Sequence, residues 1–260
     1  MRRIFKYSFY DLLRSRWSLI YFLFYLVITS GLLYLSGSES KVIITLMNVI
    51  LVLNPLISTI FGVMYFYNSR EFTELLLAQP VERSKIFLGQ YFGLSTSLAL
   101  SFLLGVGIPF LAGGVLFSPE ILNFSVLLIV GLALTYIFCA FAFWIALRFD
   151  HRIKGFGLAI LFWLFMAVIY DGILLSLIVT FSEYPLEKFA LISTVLNPVD
   201  LSRILILLQL DISALMGYTG AVFSKFFGSG LGLILAFASL FIWWLIPVLG
   251  MLQTGRRKDF

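Results

Sequence analysis

The sequence predicts an all-α integral membrane protein with six transmembrane helices, and two observations carry that prediction. Of its 260 residues, 61% are hydrophobic and 12% are charged, whereas a soluble domain is about half apolar and about a quarter charged. The apolar residues also fall in long runs, and a run of about 20 is enough to cross a bilayer. We therefore expect one membrane domain over residues 1–260, without a soluble catalytic domain of any size.

Residues 1–16 predict a helix that lies at the membrane interface. Apolar positions such as Ile4, Phe5, Phe9 and Leu12 recur there at helical spacing, and basic residues lie between them. A helix of this kind favours an anionic leaflet, because lipid headgroups attract its charges while its apolar side enters the bilayer. A frayed basic tail is the alternative. No small-residue cleavage site follows the first apolar run, so we expect the first span to stay.

The six apolar runs predict spans at about 17–36, 42–67, 86–112, 121–147, 155–181 and 226–252. Most of the 18 Lys and Arg residues lie in segments on one side of these spans, namely 1–16, 70–85, 148–154 and 256–258. Because cytoplasmic loops carry the excess of positive charge, we expect both termini in the cytoplasm and the protein in the inner (cytoplasmic) membrane. Residues 182–225 then lie outside.

This outer segment, residues 182–225, predicts amphipathic helical structure. It is rich in Leu and Ile, and Asn197-Pro198 marks a turn. Asp200 is placed to cap a helix over residues 203–210. The apolar side of that helix must be covered by the lipid boundary, by the spans or by another protein.

The stretch REFTELLLAQPVERSK, residues 70–85, is the most charged internal segment of the chain. Its charges surround the apolar residues Leu75, Leu76 and Leu77, and Pro80 then stops the apolar run, because proline lacks the donor that a helix interior needs. We expect a short amphipathic helix, a break at the proline, and the charged start of the next span. A plain cytoplasmic loop does not need three leucines, so the pattern favours docking onto a soluble partner.

Motifs that carry chemistry are missing from the sequence. There is no glycine-rich phosphate-binding loop ending in Lys and Ser/Thr, no HExxH and no CxxC. His151 lies in a charged loop, and Cys139 stands alone inside an apolar run, where packing is the favoured interpretation. We therefore predict no catalytic residue, no bound cofactor and no metal site. The net charge of +5 indicates membrane topology and not nucleic-acid binding.

Asp171 is the exception among the spans, because it is a carboxylate within the fifth apolar run, beside Tyr170. Placing such a group at the bilayer centre costs about 2.5–3.5 kcal/mol on insertion scales. It therefore faces a cavity, a partner helix or a polar group. Substrate passage or gating is one interpretation for Asp171 and Tyr170, and structural pairing or interfacial placement is the other.

The stretch SREFTELLLAQPVERSKIFLGQ, residues 69–90, resembles a sequence pattern of the ABC-2 type transporter permease family. The residues that match that family's pattern are Glu74, Leu76, Leu77, Pro80, Arg83 and Gly89. The family's Gly-Thr-Leu is replaced by Phe72-Thr73 just before Glu74. The resemblance implies a coupling helix that seats in a groove of a separate ATPase subunit, which binds the ATP and Mg. The residues expected to contact that ATPase are Glu71, Phe72, Glu74, Leu75, Leu76, Leu77, Gln79, Pro80 and Arg83.

A narrower resemblance involves Tyr170-Asp171, then LNPVDLSRILIL and SALMGYTGAVF further on. These stretches are similar to the permeases of nitrous oxide reductase maturation transporters (NosY type), in which an NP-x-D-x-x-R pattern opens the outer segment. The resemblance implies a homodimer with two ATPase copies, a periplasmic accessory protein, membrane lipid and a role in copper-site maturation. The residues expected to contact the periplasmic partner are Asn197, Pro198, Asp200 and Arg203.

Other functions fit parts of the sequence. An ABC-2 exporter of a lipid, drug or peptide is the alternative within the same class. An intramembrane enzyme needs several converging buried polar groups, and the sequence offers little beyond Asp171, Asn54 and Asn48. A passive membrane anchor for the periplasmic partner is the third alternative.

Overall fold

A computed structural model describes residues 1–36, 38–181, 187–210 and 230–258 of the chain. Within these ranges the chain is helical and contains no strand. The helices are α1 (Arg2–Leu13), α2 (Arg16–Ser36), α3 (Glu39–Asn68), α4 (Arg70–Leu77), α5 (Arg83–Ala112), α6 (Ile121–Arg148), α7 (Arg152–Leu164), α8 (Tyr170–Thr180), α9 (Glu187–Val195), α10 (Pro198–Gln209) and α11 (Gly230–Arg257). A π-helical turn, Phe165–Ile169, joins α7 to α8.

Six helical stretches among the described residues are long and apolar enough to cross a membrane, and they confirm the predicted all-α membrane fold. They are α2, α3, α5, α6, the α7–α8 stretch and α11. The last helix runs to Arg257 and so extends past the predicted end at residue 252. It does so because a helix can continue beyond its apolar section into polar surroundings. The predicted start of this span at residue 226 lies outside the described residues.

The core lies where α3, α5 and α6 meet. Half or more of the residues in the most apolar section of each are buried, 67% in α6. Asn54, fully buried in α3, ties three helices together there. The hydroxyls of Tyr21 and Tyr25 in α2 donate to its Oδ1, and its Nδ2 donates to the Gly131 carbonyl of α6 at 3.2 Å. Interhelical hydrogen bonds of this kind stabilise a membrane bundle by about 1 kcal/mol each.

Helix α1 packs against the first turns of α5 through two glycines. A Cβ atom on Gly93 would lie 2.5 Å from Ser8 Cβ, and one on Gly89 would lie 2.9 Å from Ile4 Cγ2. Ile4 and Ser8 are buried in this contact, while Arg2, Arg3 and Lys6 stay exposed. The contact needs glycine because any larger residue would push the two backbones apart.

The predicted basic segments meet at one end of the bundle. Tyr7 of α1 stacks on Phe72 of α4 with ring centroids 4.8 Å apart. Lys258 Nζ lies 2.8 Å from Asp150 Oδ1, and Arg83 Nη1 donates to the Lys258 carbonyl at 2.7 Å. At the opposite end of the bundle, the start of α3 is hydrogen-bonded to the start of α6. We call the end that contains Phe72, Asp150 and Lys258 the basic end.

Helices α9 and α10 form a hairpin bent by 109°. Its vertex, Asn197, bonds to the carbonyl of Met166. Since a helix rises about 1.5 Å per residue, Met166 lies roughly 21 Å from Arg152 at the start of α7. The vertex therefore packs against the fifth span. Of the predicted outer segment 182–225, the structure describes residues 187–210, and residues 182–186 and 211–225 lie outside the described residues.

Candidate functional site

Two places in the fold hold the residues singled out from the sequence: α4 at the basic end, and the hairpin vertex inside the bundle. Helix α4 is one residue away from α3, since Ser69 alone separates them. It ends at Leu77, and Pro80 lies in the bend that leads to α5. The predicted order of short amphipathic helix, proline break and charged span start is therefore present.

The outer side of α4 is open to solvent. Leu75 is 67% exposed, and Glu71, Glu74, Gln79 and Pro80 are also exposed. Leu76, Leu77 and Phe72 are half-buried, and Arg83 is exposed at the start of α5. An exposed leucine between carboxylates is the pattern that a docking partner can cover. Of the nine residues predicted to contact an ATPase, the structure therefore presents six outward.

The inner side of α4 is fixed to two other helices. Thr73 is buried, and Gln90 Nε2 of α5 donates to its Oγ1 at 2.8 Å. Phe72 stacks on Tyr7 of α1. A displacement of α4 must therefore move α1 and α5 as well as α3, to which it is joined directly.

Ion pairs around α4 are exposed and lie within single helices or turns. Arg70 Nε lies 2.9 Å from Glu74 Oε1, and Lys85 Nζ lies 2.9 Å from Glu82 Oε2. Hydrogen bonding to Lys85 lowers the pKa of the Glu82 carboxyl. Exposed pairs of this kind contribute little to stability, so their charges are available to a partner.

The C-terminal residues join the start of α5 to the α6–α7 loop. Arg83 donates to the Lys258 carbonyl, and Lys258 Nζ donates to the Leu147 carbonyl at 2.6 Å. The same ammonium pairs with Asp150 and lowers the pKa of that carboxyl through a hydrogen bond and its charge. We call these contacts the C-terminal clamp; sequence patterns gave no signal for it.

The hairpin vertex supplies a polar side chain to the π-helical turn. Asn197 is fully buried, and its Oδ1 accepts from the Val199 amide at 2.9 Å, so Asn197 is the N-cap of α10. Its Nδ2 donates to the Met166 carbonyl at 2.8 Å. Irregular backbone at membrane depth is tolerated only where its polar groups are satisfied. The prediction that Asp200 caps a helix over residues 203–210 is wrong, because the helix begins one turn earlier at Pro198.

Asp171 and Arg203 form an ion pair beside this vertex. Arg203 Nη1 lies 2.7 Å from Asp171 Oδ2 and 3.4 Å from Asp200 Oδ1. Asp200 is nearly buried and also accepts from Asn197 Nδ2 at 3.0 Å. The guanidinium of Arg203 gives the Asp171 carboxylate a counter-charge, which lowers the cost of placing that carboxylate within an apolar span. The pair fits both interpretations of Asp171, since a structural pair can also serve as a gate.

Two further bonds hold the hairpin in place. The Tyr170 hydroxyl donates to the Ser193 carbonyl of α9 at 2.6 Å, and Trp243 Nε1 of α11 donates to the Val195 carbonyl at 3.0 Å. The structure thus brings Tyr170 and Asp171 together with Asn197, Asp200 and Arg203. Of the four residues predicted to contact a periplasmic partner, Asn197, Pro198 and Asp200 are buried within the chain, and Arg203 is partly exposed.

The described part of the chain offers no group of three or more His, Cys, Asp or Glu side chains that could hold a metal ion. Cys139 is buried, and its Sγ lies 3.7 Å from the Ser58 carbonyl. The chemistry present at the two sites is ion pairing and hydrogen bonding, which suits conformational coupling.

No protein-family model matches the chain. The chain is 28% identical over 211 residues to "Probable ABC transporter permease protein NosY" of Stutzerimonas stutzeri, covering 75% of this chain and 76% of that protein. It is 26% identical over 224 residues to the protein of the same name from Pseudomonas aeruginosa strain PAO1, covering 80% and 81%. The predicted resemblance is thus confirmed: over most of its length, the chain is similar to ABC transporter permeases of the NosY type.

Proposed function

We propose that the chain is the membrane subunit of an ABC transporter and that α4 receives motion from a separate ATPase. The similarity to proteins named as ABC transporter permeases supports this proposal. The observation that carries it is the two-sided character of α4. Leu75 and the carboxylates of Glu71 and Glu74 face outward, whereas Thr73 and Phe72 hold the helix to the bundle.

Motion of α4 would reach the hairpin through the spans. Helix α3 precedes α4 with one residue between them, and it also packs against α10. When the ATPase closes on ATP and Mg, α4 would shift, and α3 would shift with it. This shift would strain the contacts that fix the hairpin, namely the Asp171–Arg203 pair and the Asn197 bond to Met166. Breaking them would release the hairpin, which gives Tyr170 and Asp171 a gating role.

The biological role we propose is copper-site maturation of nitrous oxide reductase, because both relatives carry the NosY name. The transporter would hold two ATPase copies, a periplasmic accessory protein and surrounding lipid in the inner membrane, with cytoplasmic termini. The basic end then faces the cytoplasm, where the ATPase is. Of the four residues expected to contact a periplasmic partner, Arg203 is the one that remains partly exposed.

A second copy of the chain would pack against α7 and α8. Only 11% of the most apolar section of that span is buried, compared with 50% in α3. Gly157 and Gly172 on the same span have open space where a Cβ atom would lie. Small residues let membrane helices approach closely, so this surface suits a homodimer.

The test replaces Leu75 with Asp in a strain that makes nitrous oxide reductase. We expect loss of ATPase co-purification and a copper-deficient reductase, because the charge cannot enter an apolar groove. Phe117→Asp is the matched control, since Phe117 is 95% exposed at the opposite end and should leave ATPase binding unchanged. If a strain without the chain loads copper normally, the maturation role is wrong, and an exporter of a lipid, drug or peptide becomes the better assignment.

A further inference from the structure

A continuous cleft runs along α1, α2 and α3; it lies away from the hairpin vertex, and its polar part borders the inner side of α4 at Phe72. Its apolar part lies between α2 and α3, and its polar part lies between α1, α3 and α4. The two parts share Trp17, Phe61 and Met64 as lining residues. The rings of Trp17 and Phe61 meet edge to face with centroids 6.4 Å apart at this junction.

The apolar part has a volume of about 420 Å³. It is lined by aliphatic and aromatic side chains, including Ile20, Phe24, Leu53 and Ile57. Ile20 is 52% exposed, so the cleft is open along the side of the bundle that faces lipid. A hydrocarbon chain is the chemical group that such a wall accommodates.

The polar part has a volume of about 300 Å³ and contains the carboxylate of Asp11 with Ser15 and Asn68. Asp11 forms no ion pair with any described residue. Arg14 and Arg16 flank Ser15, are exposed, and are likewise unpaired within the described ranges. One carboxylate therefore lines the cleft, and two exposed arginines lie on either side of the lining residue Ser15 in the chain.

Aromatic residues place the polar part of the cleft at the depth of the lipid headgroups. Trp17 and Tyr7, which line the polar part, are each more than half exposed. Tryptophan and tyrosine concentrate at membrane–water interfaces, where one side of the ring is apolar and the other is wet. The junction at Trp17 therefore separates a hydrocarbon region from a headgroup region.

We propose that this cleft binds an aminophospholipid of the phosphatidylethanolamine class. The primary ammonium lies against Asp11, the phosphate lies against Arg14 and Arg16, and an acyl chain fills the space between α2 and α3. A purely anionic headgroup fits less well because Asp11 repels it. This binding site does not depend on the proposed transporter function.

A second copy of the chain suits the cleft less well than a lipid does. Membrane helices pair through small residues, whereas the cleft is lined by Trp, Phe, Ile, Leu and Met side chains. The helical glycines with open space, which include Gly157 and Gly172 on α7 and α8, do not line the cleft. The charges at the polar part also have no counterpart in an apolar helix face.

The test measures thermal unfolding of the delipidated full chain in detergent with three added lipids that share the same acyl chains. Phosphatidylethanolamine should raise the Tm more than phosphatidylcholine, whose methylated ammonium cannot donate hydrogen bonds, or phosphatidylglycerol, which has no amine. Asp11→Asn should weaken apparent phosphatidylethanolamine binding about tenfold, as expected for the loss of a charged hydrogen bond. Glu82→Gln, which removes an exposed carboxylate on the same end of the bundle, should leave the preference intact.

A second variant tests the apolar part. Ile57→Trp should fill the space and weaken binding of all three lipids equally. Equal stabilisation by the three lipids in the unsubstituted chain, or an unchanged preference in Asp11→Asn, would overturn the headgroup assignment. Cross-linking of two copies through Ile20→Cys in native membranes would show that a second chain covers the cleft and would overturn the proposal.

Discussion

Arg203 Nη1 lies 2.7 Å from Asp171 Oδ2, and this ion pair joins α10 of the hairpin to α8 of the fifth span. The two side chains are 26% and 31% exposed, so neither is fully withdrawn from solvent. The pair gives a carboxylate within an apolar span its counter-charge, and it fixes the hairpin to the helix that it crosses.

Replacing either partner should therefore destabilise the protein. We expect Asp171→Asn and Arg203→Gln each to lower the free energy of unfolding by about 1–2 kcal/mol, less than for a fully buried pair because both groups are partly exposed. The double variant should lose less than the sum of the two, since the same interaction is removed only once. Thermal unfolding in detergent measures all three, and simple additivity would show that the pair is energetically silent.

The Asn197 cap allows a sharper test of the hairpin vertex. Asn197→Ala removes the cap of α10 and leaves the Met166 carbonyl without its donor, so we expect a loss of about 2–4 kcal/mol. Asn123→Ala is the control, because Asn123 donates to Glu120 at the start of α6, and it should cost under about 1 kcal/mol. Equal losses for the two variants would mean that the vertex is not held by this side chain.

The contact between α1 and α5 can be tested within one helix. Gly93→Ala places a Cβ atom 2.5 Å from Ser8 Cβ, so α1 must shift, at a cost of about 1–3 kcal/mol. Gly107→Ala in the same helix meets nothing within 4 Å, and it should be neutral or slightly stabilising because alanine favours helix. Unfolding midpoints and protease cleavage within α1 measure the difference; a stable Gly93→Ala variant with α1 still protected contradicts the close packing.

The C-terminal clamp predicts a pH dependence. Lys258 lowers the pKa of Asp150 below its ordinary value of 3.8, so the ionised carboxylate is favoured in the folded protein. The stabilisation from this pair is therefore complete above about pH 4 and lost as the pH falls through the lowered value. Asp150 is 67% exposed, so the effect should stay under about 1 kcal/mol. The Tm difference between the native chain and Asp150→Asn should shrink on acidification, and a difference that grows would contradict the pairing.

Much of the fold was predictable because long apolar runs and the distribution of basic residues are local properties of the chain. The two-sided character of α4 was predictable for the same reason, since Leu75 and Pro80 lie close together in sequence. The hairpin was not, because the pairing of Asp171 with Arg203 depends on how α10 folds back into the bundle. The cap of α10 could have been found: Pro198 favours the first position of a helix, which makes Asn197 the cap ahead of Asp200.

Photo-cross-linking from position 75 tests the central claim most directly. A photoreactive amino acid replaces Leu75 in the full chain, expressed together with its native ATPase, and the same amino acid at Phe117 serves as the control at the opposite end. The account predicts a cross-link to the ATPase from position 75 and none from position 117. Cross-links to the ATPase from position 117 alone, or from neither position while the assembled complex is intact, would contradict it.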